Sequence, residues 1–106
     1  MKNEFPYRRK LIKKIEDLFP GCIVLVNDPT WIQGISDLVI LYNHQWAALE
    51  VKRSDNEPRQ PNQDYYIDRM NAMSFAAFIY PENEEQVLYE LQRSFYTGRP
   101  SRFPGS

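Results

Sequence analysis

Two apolar runs, Ser36 to Tyr42 and Trp46 to Lys52, flank the polar break Asn43-His44-Gln45, and this arrangement constrains the fold more than any other feature of the chain. Runs of this length suit central strands, and a break this short folds the second strand back beside the first as an antiparallel hairpin. Within the second run stands Glu50-Val51-Lys52. Alternate residues of a strand share a face, so Glu50 and Lys52 emerge side by side while Leu49 and Val51 face the opposite layer. Desolvating a charge on a central strand is costly, so this pair needs partners, a metal or a solvent-filled cleft. Asp37 begins the preceding strand, and hairpin pairing brings it close to Glu50. His44 belongs to the turn, at the remote end, and is placed outside the site.

The other elements are read around that hairpin. Tyr7, Leu11, Ile12, Ile15, Leu18 and Phe19 recur at helical spacing from Pro6 to Phe19, with Pro6 suited to a first-turn position and Pro20-Gly21 ending the run. Cys22 to Val26 reads as a buried strand closed by Asn27-Asp28-Pro29. A polar stretch from Arg53 to Pro61 leads to a helix starting near Asn62, with Tyr66, Met70 and Met73 on one side. Phe75 to Tyr80 is the last strand, and Glu82 to Arg93 a helix with Val87, Leu88 and Leu91 inward. The tail from Ser94 to Ser106 has no apolar period and is expected to be extended or disordered. A chain of 106 residues holds one domain, expected over residues 1–93, with residues 94–106 as tail. Helix, three strands, helix, strand, helix implies an α/β sandwich around a mixed sheet.

Composition narrows the class of protein. Cys22 is the only cysteine, so no internal disulfide is available, and the reading is a buried thiol. No apolar stretch approaches the ~20 residues of a membrane span, and the first residues lack the apolar core of a signal peptide, so an intracellular protein without a membrane partner is expected. The net charge of −1 does not by itself suggest a nucleic-acid partner. The basic residues are nonetheless clustered: Arg8, Arg9, Lys10, Lys13 and Lys14 crowd the first helix. Arg8, Arg9 and Lys13 are candidates for DNA phosphate contacts, a solvated helix face being the plainer alternative. Arg99 and Arg102 in the tail are further candidates for phosphate contact. Trp31 and Trp46 have the chemistry to stack on bases, but core or dimer packing is the commoner use of such residues, and neither is assigned to recognition.

Paired carboxylates suit a hard cation such as Mg²⁺, with Mn²⁺ as a substitute, which keeps several waters and bridges to phosphate. With Lys52 beside them, the composition fits phosphodiester hydrolysis. The plainer alternative is a surface ion pair of Glu50 and Lys52, worth about 0–1 kcal/mol.

In their order, Asp37, then Glu50-Val51-Lys52, then Gln63 resemble the PD-(D/E)XK nuclease superfamily and, more closely, its small VRR-NUC branch, over roughly Glu4 to Leu91. The resemblance implies a restriction-endonuclease-like αβββαβ core with an added C-terminal helix. It implies Asp37 and Glu50 as metal ligands, the Val51 carbonyl as a third oxygen donor, and Lys52 as the group that activates or orients water. Gln63 would support the site from the helix after the motif strand. The branch commonly adds an acid from its first helix, for which Glu4 and Glu16 compete; Glu4 is preferred because its spacing to Leu11, Ile15 and Leu18 aims it along the inward face. Ser36 stands where the family usually has proline, which bears on loop geometry more than on chemistry.

Further implications are a homodimer cutting branched DNA such as four-way junctions and a setting in a bacterium or phage-infected host. The alternatives are a less selective phage or defence nuclease, and a DNA-binding protein of this fold without hydrolysis.

Overall fold

The computed structural model describes residues 6–28 and 30–97. Its elements are α1 (Pro6–Leu18), β1 (Ile23–Val26), β2 (Leu38–Tyr42), β3 (Gln45–Val51), α2 (Pro61–Met73), β4 (Phe75–Ile79) and α3 (Glu84–Thr97). The α/β architecture is the expected one. The strands form a single sheet in the order β1-β2-β3-β4, the first three antiparallel and β4 parallel to β3. A parallel pair requires a crossover, and α2 is that crossover.

The hairpin is closed by Asn43-His44, with Gln45 already paired to Tyr42 in the ladder. Asn43 takes a positive φ of 59°, which asparagine tolerates better than most residues. Strand alternation then sorts β3 between two layers. Ala47, Leu49 and Val51 join a core with Leu11 and Ile15 of α1 and with Val87, Leu88 and Leu91 of α3. Ala48 packs on the other face with Ile67 of α2, Ala76 and Phe78. The opposite facing expected of Leu49 and Val51 is therefore observed.

Three boundaries or exposures differ from expectation. The strand β1 is not buried: Ile23, Leu25 and Val26 are 57%, 45% and 52% exposed. It is a sheet edge, and α2 packs chiefly on β3 and β4. The last helix continues through Thr97, so Ser94 is not the start of a tail; Ser94 and Phe95 are buried, Phe95 against Phe19 and Tyr42. On α2, Ile67 carries the burial while Met73 is 62% exposed, because the helix meets the sheet through one narrow line of residues. The basic tail positions Arg99 and Arg102 lie outside the described residues.

Candidate active site

The site forms at the end of the hairpin remote from its turn. Leu38 pairs with Leu49, which sets Asp37 opposite Glu50. The Asp37 amide donates to Glu50 Oε1 at 3.2 Å, and the neighbouring Val51 amide donates to Asp37 Oδ2 at 3.0 Å. Asp37 is in turn fixed to β1 by its carbonyl, which accepts from the Asn27 amide at 2.7 Å. Ser36, completely enclosed just before it, accepts from Asn27 Nδ2 through its carbonyl, so hydrogen bonds hold the backbone on the approach to Asp37.

Glu50 and Lys52 are each only 5% exposed, which excludes the reading of a surface ion pair. Gln63 resolves their burial. Its Nε2 donates to Glu50 Oε2 at 2.8 Å, and its Oε1 accepts from Lys52 Nζ at 2.8 Å. The same Oε1 accepts from the Gln60 amide at 2.9 Å, so one side chain both joins the two charges and caps the start of α2. Lys52 Nζ donates also to the Pro58 carbonyl at 3.1 Å and lies 3.9 Å from Glu50 Oε2. The connector after β3 is thus folded back onto the lysine.

Electrostatics follow from burial. Burial, and then the neighbouring Asp37 charge, push the Glu50 carboxyl from an ordinary 4.5 up to about 7. Burial also pushes Asp37 up, opposed by the Val51 N–H, Arg8 and Lys52. Glu57, which sequence reasoning did not single out, adds to the negative field felt by both. Its own Oε1 accepts from the Arg53 amide, and no spacing rule would have marked it inside a polar connector.

Arg8 lies close enough to Asp37 to favour its ionised form, so the N-terminal end of α1 adjoins the site. Glu16 is exposed near Cys22, whose thiol is pushed up by burial and then by the Glu16 charge, at the end of β1 remote from Asp37. That position removes Glu16 as the first-helix acid; Glu4 lies outside the described residues. Cys22 itself is half-buried rather than enclosed. Arg9 and Lys13 are exposed on α1, whereas Lys14 is committed to Glu84. His44 stands at the hairpin turn as expected.

No group of three His, Cys, Asp or Glu side chains converges among the described residues. Among the described residues the donor set is two carboxylates, with further oxygens to come from backbone or water. That set fits a hard cation such as Mg²⁺, which retains waters, better than a metal needing a full protein cage. Each carboxylate oxygen that accepts one N–H keeps a second lone pair for a cation. The burden of two partly desolvated carboxylates is the condition a cation relieves.

No family model, no curated protein and no solved structure matches this chain.

Proposed function

We propose that this chain is a metal-dependent DNA endonuclease. The observation that carries the reading is the enclosed network in which Gln63 joins Glu50 to Lys52 while the Asp37 amide holds the Glu50 carboxylate across the hairpin. A purely structural ion pair needs no second carboxylate against the first, since the repulsion lowers stability.

Asp37 and Glu50 would hold Mg²⁺, with the Val51 carbonyl as a further donor. When bound, the ion supplies Lewis-acid polarisation of a phosphate oxygen and a lower pKa for attacking water. Lys52 provides the adjoining positive charge. Of its three N–H groups, one is held by the Pro58 carbonyl and one by Gln63 Oε1, and the third, with Glu50 Oε2 3.9 Å from the nitrogen, would turn to a water molecule or a phosphate oxygen. Gln63 keeps the ammonium and the Glu50 carboxylate in fixed register. Arg8, Arg9 and Lys13 supply phosphate contacts along α1.

Branched DNA is the substrate class implied by the resemblance, and a two-fold homodimer the assembly. What supports a second copy as partner is β1. This edge strand carries four aliphatic residues and neither charge nor proline, the devices by which monomers block edge pairing. Leu41, paired with Ile23 and 37% exposed, continues the uncovered aliphatic strip of Ile23 and Leu25 on one face of the sheet, a surface that a second copy would cover.

The deciding experiment incubates wild type and Lys52→Ala with labelled four-way junction, flap and linear duplex, in Mg²⁺ or EDTA. Cleavage that needs both Mg²⁺ and Lys52 is expected. Equal cleavage by the two proteins, or none by wild type on any DNA form, would overturn the reading.

A further inference from the structure

Trp31 is 90% exposed, the most exposed of the large hydrophobic side chains in the described residues. Neither core packing nor a neighbouring side chain accounts for it, and a water-exposed indole is unfavourable enough to ask what covers it. Its loop is firmly seated. Gly34, at φ +90°, lies so close to α2 that a Cβ there would meet Asn62 Cβ at 2.3 Å. Asn62 Nδ2 donates to the Gln33 carbonyl at 3.4 Å, and the Thr30 amide donates to Asp28 Oδ1 at 3.0 Å. The tryptophan is thus an exposed ring on a braced support.

Between this loop and the start of α2 runs a cleft of about 540 Å³, which Trp31 adjoins in the chain without lining it. Its polar walls are Thr30, Gln33, Gln60, Asn62 and Gln63, all uncharged. Trp31 is flanked in the chain by lining residue Thr30 and, one residue further on, by Gln33. Gln63 is also the residue that binds Glu50 and Lys52, so the cleft shares a wall with the reactive centre. A neutral lining of amides and a hydroxyl is poorly suited to a phosphate but well suited to the donor and acceptor edge of a nucleobase.

We infer that Trp31 and the amide-lined cleft between the 30–35 loop and α2 form a subsite for one unpaired nucleobase next to the scissile phosphate. The indole supplies the stacking face, and Gln33, Gln60 and Asn62 supply the polar edge. This rests on the nuclease reading and deepens it: a base is available to such a subsite only where the duplex is open, as at a branch, flap or single strand.

The test uses full-length protein carrying Trp46→Phe, which leaves Trp31 as the sole indole, in EDTA so that no cleavage occurs. The probes are a thymidine decamer and a blunt duplex of equal length. Saturating decamer should quench the Trp31 emission and duplex should not. Trp31→Ala should weaken decamer binding by about tenfold, within the range for loss of one stacked base. Duplex affinity should stay within about twofold, and Trp31→Phe should retain part of the decamer affinity. An exposed position makes these variants safe for folding. Unchanged decamer affinity in Trp31→Ala overturns the subsite, as does equal quenching by duplex, or a change in sedimentation that shows the indole covered by a second copy. Lys52-dependent cleavage in Mg²⁺, assayed alongside, separates the two claims: if cleavage persists while Trp31→Ala binds normally, the subsite alone falls. If wild type neither binds nor cleaves any DNA, both fall.

Discussion

Gln63 donates its Nε2 hydrogen to Glu50 Oε2 over 2.8 Å while its Oε1 holds Lys52 Nζ at the same distance, so one neutral side chain separates a buried carboxylate from a buried ammonium. The direct Lys52–Glu50 separation is 3.9 Å. Because the amide has a donor end and an acceptor end, it satisfies both charges without letting the lysine neutralise the glutamate completely.

Replacing Gln63 by Ala removes both bonds and the cap on the Gln60 amide. The expected result is a stability loss of about 1–3 kcal/mol in urea unfolding and a fall in cleavage rate of at least about tenfold. Gln63→Glu keeps the acceptors for Lys52 and Gln60 but sets a negative charge against Glu50. Its cleavage should fall further at neutral pH than that of Gln63→Ala, and equal rates would argue against a positioning role.

Glu50 makes metal-free stability depend on pH with a definite sign. Its folded pKa lies above the unfolded value, so the folded state binds the proton more tightly. The contribution is fully present below about 4.5, declines as pH rises, and is lost above about 7. Urea unfolding in EDTA should therefore show wild type losing stability between pH 5 and pH 8, by at most about 3 kcal/mol, and Glu50→Gln losing much less. Mg²⁺ binding should show the reverse trend, tightening towards pH 8 as the proton leaves. Calorimetry would register this, and Asp37→Asn should abolish most of the heat.

Gly34→Ala should destabilise the protein by about 2 kcal/mol or more, since the new Cβ would meet Asn62 and the backbone is in the left-handed region. Adding Asn62→Gly removes the 2.3 Å contact but leaves the residue-62 backbone carbon at 2.8 Å, so it should recover only part of the steric loss. Full recovery would show the positive φ to be without cost.

Leu25→Lys places a charge on the open edge strand, on a side chain already 45% exposed. The monomer fold should be unchanged by circular dichroism, while sedimentation should shift from dimer to monomer. A wild-type protein that sediments as a monomer at every concentration would remove β1 as a self-association surface.

The sequence by itself determined the elements and their order, because local periodicity and turn chemistry act over a few residues. It also determined the convergence of Asp37 with Glu50 and the shared face of Glu50 and Lys52, since a hairpin with a short polar turn has few registers and strand alternation is strict. Gln63 was singled out only through a resemblance, as a supporting residue; the capping of Gln60 and the bridge between two charges depend on where α2 lands on β3. The exposure of β1 was decided by tertiary structure, for an aliphatic strand reads as buried whether it lies at a sheet's centre or edge. The same holds for Glu57 and the Pro58 carbonyl, brought to the site by the fold of a polar connector. It holds too for Trp31, whose residue type suggests burial until the braced loop leaves it in solvent. Local rules reach as far as neighbouring strands; what covers a face, and what is left uncovered, is set by the packing of elements distant in the chain.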